Sequence, residues 1–139
     1  MSTSIDPTRQ QFDTFKNLPR DTPIMMLNLI RLHDEAQYSD GQNASGAQAY
    51  KRYGEESGPI FKRVGGEIIW RGKPECLLIG PIEEMWDIAF IARYPTADAF
   101  LTMITDADYK QVVAHRQAAV LTSRLIRLGD SIEGSGFSV

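Results

Sequence analysis

The sequence predicts one α+β domain of the ferredoxin-like kind, with an antiparallel sheet and a β-α-β-β-α-β order of elements. Hydrophobic periodicity supplies that order, and a length of 139 residues with 42 % apolar residues suits one domain with a real core. The first and third long strands are apolar on both sides, yet the helices of such a domain cover only one face. A second copy of the sheet is therefore expected on the other face, which predicts a homodimer.

Residues 1–23 are predicted to form an N-terminal helical arm. Asp6 is a suitable N-cap and Pro7 suits the first helical position. Three apolar residues then recur at helical spacing: Phe12, Phe15 and Leu18. We expect the arm to dock through its two phenylalanines, either on the domain or on a partner chain, because exposed aromatic rings would lower solubility.

The first half of the domain is predicted to hold two strands and one long helix. Residues 24–32 form the first strand, and a polar loop over 33–46 is long for a connection. Apolar residues from Ala47 onward mark a helix, which Gly58-Pro59 should kink or briefly break. Its predicted end is Gly65-Gly66. The second strand covers 67–71, and extended structure resumes over 75–79, so the thiol of Cys76 should be buried and inert.

The second half supplies the third strand, two helices and the last strand. The third strand covers 86–94, Thr96 begins a short helix, and Asp106 is the N-cap of the next helix. The last strand is predicted over 124–128. The domain should therefore extend over 24–129, followed by a flexible Gly/Ser-rich tail over 130–139.

Composition argues against several functional classes. The net charge is −3 with both signs mixed, which lacks the basic footprint of a nucleic-acid-binding protein. The only cysteine excludes an intramolecular disulfide and suits a reducing compartment. The polar N-terminus does not resemble a secretory signal, and no apolar run approaches the roughly 20 residues of a membrane span. We therefore expect a cytoplasmic protein that binds neither nucleic acid nor membrane.

The stretch from 24 to 128, about three quarters of the chain, resembles the domain-of-unknown-function family 1330. The order and spacing of five features carry this resemblance: Tyr50 with Tyr53, Gly65-Gly66, Arg71-Gly72, Tyr94-Pro95-Thr96, and Asp108-Tyr109 with Arg116. The resemblance implies a dimeric α/β barrel. It also implies a superfamily of cofactor-free monooxygenases, haem-degrading enzymes, lactone isomerases and proteins without known activity. It transfers no catalytic residue.

Four residues are candidates for ligand binding. Asn28 is an amide within an apolar strand, where it either contacts a ligand or forms hydrogen bonds with neighbouring protein groups. It lies on the same side of the strand as Met26 and Ile30, and the sequence leaves open which face of the sheet these residues occupy. Arg116 interrupts an apolar helix stripe, where it either pairs with Asp87 or a helix C-terminus or binds a ligand carboxylate. Tyr53 and Trp86 are aromatic residues that either wall a pocket or pack in the core.

The two histidines of the sequence do not indicate a metal-binding site. His33 and His115 are far apart and lie in no metal-binding motif, so neither a metal nor an organic cofactor is expected. His115 falls on the polar side of its helix and should be solvated. His33 ends a strand beside two acidic residues, which makes it either an exposed strand end or a tuned general base.

Two functions from different classes remain open. The first is a cofactor-free enzyme that acts on a small carbonyl or phenolic compound by proton transfer or with oxygen. Its pocket would lie between sheet and helices, with Asn28, Tyr53 and Arg116 as polar contacts and Trp86 as a wall. The second is a non-catalytic dimeric binding or assembly protein.

Overall fold

The computed structural model describes residues 3–130 and 136–137, so most of the predicted tail at 130–139 lies outside the described residues. The elements in chain order are α1 (Arg9–Asn17), β1 (Ile24–Leu32), α2 (Gly46–Arg63), β2 (Glu67–Gly72), β3 (Ile88–Tyr94), α3 (Ala97–Thr105), α4 (Ala107–Ala119) and β4 (Val120–Leu128). The predicted α+β class and β-α-β-β-α-β order are confirmed, with α3 and α4 together forming the second crossover. Among the described helices, none combines the length and the apolar character needed to cross a membrane.

The four strands form one antiparallel sheet in the order β2-β3-β1-β4. The predicted limits of β1 are correct, whereas β3 begins at Ile88 rather than at 86. The carboxylate of Asp87 accepts a hydrogen bond from the backbone N–H of Leu32 at 2.8 Å, so a side chain takes the place of a ladder partner. The last strand is longer than predicted, because α4 passes directly into β4 at Val120.

The helices cover one face of the sheet. Ile24 and Met26 of β1 pack there in a buried cluster with Ile60 of α2 and with Tyr109 and Val112 of α4. Alternation along the strand places the next residue of the same parity, Asn28, on this helix-covered face as well.

The opposite face of the sheet carries apolar side chains, and none of the described helices covers it. Pairing in register places Leu27 of β1, Ile91 of β3 and Ile126 of β4 side by side on it. Trp70 of β2 pairs with Ile91 and is 58 % exposed, while Ile126 is 45 % exposed. The double-sided apolar pattern of the sequence therefore corresponds to one covered face and one open face, which we call the open sheet face.

Helix starts follow their capping residues. Asp106 and Thr96 are N-caps as predicted. The start of α1 was wrongly predicted at Asp6: its N-cap is Thr8, whose hydroxyl accepts from the Gln11 N–H while the Gln11 side chain accepts from the Thr8 N–H, both at 3.1 Å. This reciprocal pair satisfies two donors, and the Asp6 carboxylate instead accepts from the amide of Gln117 at 2.7 Å.

The long helix α2 is continuous through Pro59, so the expected brief break is absent. Ser57 and Ile60 on either side of the proline are buried, and their packing offsets the hydrogen bond that proline cannot donate. The helix ends before Gly65, whose φ of +86° is a left-handed conformation that glycine adopts without strain.

The segment from 73 to 87 differs most from expectation. Residues 75–79 form no strand, because they have no ladder partner in the described sheet. Cys76 is consequently exposed rather than buried, and Leu78 and Ile79 are each 89 % exposed. The later part of the segment is held by several contacts, among them a hydrogen bond from Arg31 to the Glu83 carbonyl at 3.1 Å and one from the Asp87 N–H to the Ile30 carbonyl at 2.8 Å.

Candidate functional site

An open cavity of about 2410 Å³ lies between the helix-covered face of the sheet, the helices and the arm. Its sheet wall includes Asn28 and Phe90, and its helix wall includes Tyr50, Tyr53 and Arg116. We call it the sheet–helix cavity. The antiparallel register brings Asn28 and Phe90 side by side, and α2 and α4 pack across them. Three of the four candidate residues from the sequence therefore line a single space.

Arg116 is held at this cavity by neutral groups. One guanidinium nitrogen, Nη1, donates to the backbone carbonyl of Ile5 at 2.8 Å, and Nη2 donates to the Ser123 hydroxyl at 3.2 Å. The structural alternative considered from the sequence, pairing with Asp87 or a helix C-terminus, is not found among the described residues. The Asp87 carboxylate instead accepts from the Leu32 N–H. No described carboxylate forms an ion pair with Arg116. A guanidinium has five N–H donors, so this one retains capacity for a ligand.

Tyrosines form the aromatic part of the helix wall. The hydroxyls of Tyr53 and Tyr109 are 2.8 Å apart, and their rings meet edge to face at 6.2 Å. Burial raises the pKa of Tyr53 well above its ordinary value, and the neighbouring Tyr109 raises it further. Tyr53 is therefore a neutral phenol whose hydroxyl is already engaged.

Tyr50 lies one helical turn earlier, with its ring centroid 5.5 Å from that of Tyr53. Burial raises the pKa of Tyr50 to about 12, although the positive charge of Arg116 opposes that increase. No described group forms a hydrogen bond with the Tyr50 hydroxyl. Tyr50 thus presents a protonated donor in the cavity that Arg116 also lines.

Asn28 occupies the helix-covered face, which answers the question that its parity left open. Its amide nitrogen donates to the backbone carbonyl of Met26 at 3.1 Å. Its carbonyl oxygen accepts no hydrogen bond from the described residues, and the side chain is partly buried at the cavity wall. The Asn28 amide nitrogen is thus used within the protein, whereas its carbonyl oxygen can still accept a hydrogen bond.

Trp86 does not line the cavity, contrary to its expected role as a wall. It precedes the first residue of β3, and its ring lies 5.2 Å from the guanidinium carbon of Arg124. Arg124 pairs with Leu29 in register, on the open sheet face. Trp86 lies outside the cavity because β3 begins only at Ile88. Residues before Ile88 do not follow the alternation of side chains between the two faces of the sheet.

The N-terminal arm closes one side of the cavity. Its residues Ile5, Phe12 and Phe15 are among those that line the space. Phe15 meets Phe100 of α3 at a ring distance of 5.3 Å, and the Arg127 guanidinium stacks over Phe15 at 5.0 Å. The arm thus contributes part of the site.

A polar cluster lies outside this cavity, and sequence analysis missed it. The Nδ1 atom of His115 is 2.6 Å from the Tyr38 hydroxyl, and its Nε2 is 3.1 Å from a Glu56 carboxylate oxygen. The expectation of a solvated His115 is wrong, since its side chain is 19 % exposed and both ring nitrogens are engaged. The partners come from a loop and from another helix, so no local spacing could have revealed them. His33 is partly buried, and within the described part of the chain its side chain joins no such hydrogen-bonded cluster.

Metal-binding geometry is not found in the described part of the chain. No group of three or more His, Cys, Asp or Glu side chains is placed to hold an ion. The polar groups that line the sheet–helix cavity include the Arg116 guanidinium, the Tyr50 and Tyr53 hydroxyls and the Asn28 amide.

Comparisons with known proteins address the family and the fold. The model of the family "Domain of unknown function (DUF1330)" matches residues 42–127. Two crystal structures of RPA0582, a protein of unknown function from Rhodopseudomonas palustris, are similar over nearly the whole chain. The methylated form is 50 % identical, covers 97 % of this chain and 100 % of its own, and has a TM-score of 0.92. The second is 49 % identical, with 95 % and 100 % coverage and a TM-score of 0.89.

A distant likeness confirms the fold alone. SnoaB, a cofactor-independent oxygenase from Streptomyces nogalater, is 13 % identical, with coverage of 81 % of this chain and 96 % of its own and a TM-score of 0.52. None of the curated proteins matches this chain in sequence.

Proposed function

The chain belongs to the DUF1330 family, and we propose that it binds a small organic acid with a flat apolar body in the sheet–helix cavity. The ligand class is a carboxylated phenolic or carbonyl compound. The observation that carries this proposal is the guanidinium of Arg116, which lies in a largely apolar cavity without a carboxylate partner among the described residues.

The charge of Arg116 supports the acidic end of the ligand. A cation that loses water without gaining a counter-charge is destabilised, and hydrogen bonds to the neutral Ile5 carbonyl and Ser123 hydroxyl compensate only in part. A bound carboxylate would supply the missing charge and accept from the donors that remain free. Such charge-assisted hydrogen bonds are about twice as strong as neutral ones.

The aromatic wall supports the flat apolar body. The rings of Tyr50 and Tyr53 and that of Phe90 on the sheet provide faces and edges for a planar compound. Ligand sites commonly combine such apolar lining with a few directed polar groups. Here those groups are the Arg116 guanidinium, the Tyr50 hydroxyl and the free oxygen of Asn28.

As an enzyme, the protein would convert the bound ligand without a cofactor. The phenol of Tyr50 stays protonated at neutral pH because its pKa is about 12, so it can donate a hydrogen bond to the carbonyl oxygen of a bound compound and stabilise negative charge that develops there. A bound phenolic compound could instead react with oxygen. The same fold is used for cofactor-independent oxygenation by SnoaB, which makes this chemistry compatible with the architecture.

Non-catalytic binding or assembly is the second candidate function. The observation that favours it is the open sheet face, where Trp70 and Ile126 remain substantially exposed in the single chain. Large apolar patches of this kind mark association surfaces. In this case the cavity would bind its ligand without converting it.

The test compares 4-hydroxybenzoate with its neutral amide by isothermal titration calorimetry. The carboxylate should bind more tightly, and Arg116→Met should weaken its binding by about 10-fold or more, with little effect on the amide. Arg52→Met is the matched control, since Arg52 lies on α2 and does not line the cavity. Equal binding of acid and amide, or an equal loss in both variants, would refute the proposal.

A paired measurement separates ligand contact from structural support. Asn28→Ala and Arg116→Ala are compared for both melting temperature and ligand affinity. Loss of affinity beyond loss of stability supports a contact, whereas proportional losses would remove that residue from the site. Oxygen uptake with 2,5-dihydroxybenzoate then tests the oxygen-dependent form of the enzyme, because turnover supports it and binding without oxygen uptake contradicts it.

A further inference from the structure

A second group of side chains is arranged for acid–base chemistry. Tyr38, from the loop between β1 and α2, meets His115 of α4 at 2.6 Å, and His115 meets Glu56 of α2 at 3.1 Å. The three come from separate elements and form one continuous chain of hydrogen bonds. None of them lines the sheet–helix cavity.

The carboxylate of Glu56 selects the tautomer of His115. An ionised carboxylate only accepts hydrogen bonds, so Nε2 of the neutral imidazole carries the proton and donates it to Glu56. Nδ1 then has a free lone pair, and the Tyr38 O–H donates to it. Tyr38 is thereby placed against a base that a third residue orients, which is the arrangement of an activated nucleophile.

Space for a reactant adjoins the phenol. Tyr38 and His115 line an open pocket of about 540 Å³, together with Asp40, Lys110 and Gln111. The loop that carries Tyr38 is anchored by backbone hydrogen bonds, including Gln37 N–H to the Ala118 carbonyl at 2.8 Å. The phenol is therefore held in place while its pocket remains open to solvent.

We propose that Tyr38 is a nucleophile for acyl transfer from activated esters of small acids, with His115 as its base and Glu56 as the positioning residue. The Tyr38 O–H proton passes to Nδ1 of His115 while the phenol oxygen bonds to the acyl carbon. The ester C–O bond breaks, the leaving oxygen departs with the electron pair, and His115 passes its extra proton to that oxygen or to solvent. Water then attacks the acyl carbon of the tyrosyl ester while one of its protons passes to Nδ1 of His115. The bond between the acyl carbon and the Tyr38 oxygen breaks, the acid is released, and the Tyr38 oxygen takes the proton back from His115.

The test uses p-nitrophenyl acetate near neutral pH and full-length protein. Release of p-nitrophenolate is followed by absorbance, and peptide mass mapping locates the acetyl group. We expect acetylation of Tyr38, its loss in Tyr38→Phe, and a rate about 100-fold lower in His115→Gln. Glu56→Gln should give an intermediate rate at unchanged melting temperature. Glu55→Gln, an exposed neighbour on the same helix that faces Lys51, is the matched control and should react like the unaltered protein.

Three results would overturn the assignment. They are no acetylation, acetylation of lysines such as Lys110 without Tyr38, and acetylation of Tyr38 at the same rate in His115→Gln. Because the histidine and glutamate variants retain the phenol, they keep the test decisive even if Tyr38→Phe fails to fold.

Discussion

The guanidinium of Arg116 donates to the backbone carbonyl of Ile5 at 2.8 Å, between residues that lie 111 positions apart in the chain. Beside this contact, the Ser123 N–H donates to the Ser4 carbonyl at 2.7 Å, and the Ser4 N–H donates to the Thr122 hydroxyl at 2.9 Å. The first part of the arm is thus bound to β4 and to the buried stripe of α4. The arm and the proposed ligand site share one arginine.

Arg116→Met should loosen the arm. Removal of the guanidinium deletes its hydrogen bonds to the Ile5 carbonyl and to the Ser123 hydroxyl. The Ser4 amide hydrogen should therefore exchange with solvent at least several-fold faster, while the amide hydrogens of β1 stay protected. Hydrogen exchange with mass spectrometry measures both. Arg52→Met serves again as control, and an arm that exchanges rapidly in the unaltered protein would contradict docking.

Tyr53 and Tyr109 should be energetically coupled. Tyr53→Phe or Tyr109→Phe leaves the partner hydroxyl without its bond of 2.8 Å, which should cost about 1–3 kcal/mol of unfolding free energy. The double variant removes both polar groups and should cost less than the sum of the single changes. Urea unfolding of the four proteins gives the coupling. Additive losses would mean that the two hydroxyls do not depend on each other.

The Tyr50 phenol should ionise only at a pH well above that of an exposed tyrosine. Its pKa is raised from 10.0 to about 12, so the folded chain holds this proton more tightly than the unfolded chain does. The resulting stability is present below pH 10 and is lost as pH rises toward 12. The difference in phenolate absorbance between the unaltered protein and Tyr50→Phe isolates this group, with circular dichroism monitoring the fold. Titration of the difference near the ordinary value would disprove the prediction.

The chain should form a homodimer through the open sheet face. Covering Trp70, Leu27 and Ile126 removes apolar surface from water, and obligate interfaces of this kind often exceed about 2,000 Å². Ile126→Asp should shift the molar mass from light scattering toward the monomer at micromolar concentration. Leu18→Asp is the matched control, since both residues are 45 % exposed but Leu18 lies at the end of α1. A monomeric unaltered protein would refute the prediction.

Local pattern accounts for much of the fold. The limits of β1 and the caps at Thr96 and Asp106 could be predicted because periodicity and capping act between residues close in sequence. The start of α1 was predicted wrongly because Asp6-Pro7 indicated an N-cap there, whereas the reciprocal bonds between Thr8 and Gln11 begin the helix at Arg9.

The candidate site was predicted in part, for the same reason. An amide in an apolar strand and an arginine on an apolar stripe are visible in the sequence, and Asn28 and Arg116 do line one cavity. Trp86 was misplaced because strand alternation does not apply before Ile88. Cys76 was wrongly predicted to be buried, because a short apolar run does not reveal whether a neighbouring strand is present to pair with it.

By itself, the sequence determined the α+β class, the order of strands and helices, and the residues that must find partners. The tertiary structure decided which partners they found. It placed Ile5 against Arg116 and brought Tyr38, His115 and Glu56 into one hydrogen-bonded chain. Local preferences arise from backbone sterics and periodic burial within a few residues, whereas these contacts depend on how the chain crosses the sheet and on which donors remain unsatisfied once the core has packed.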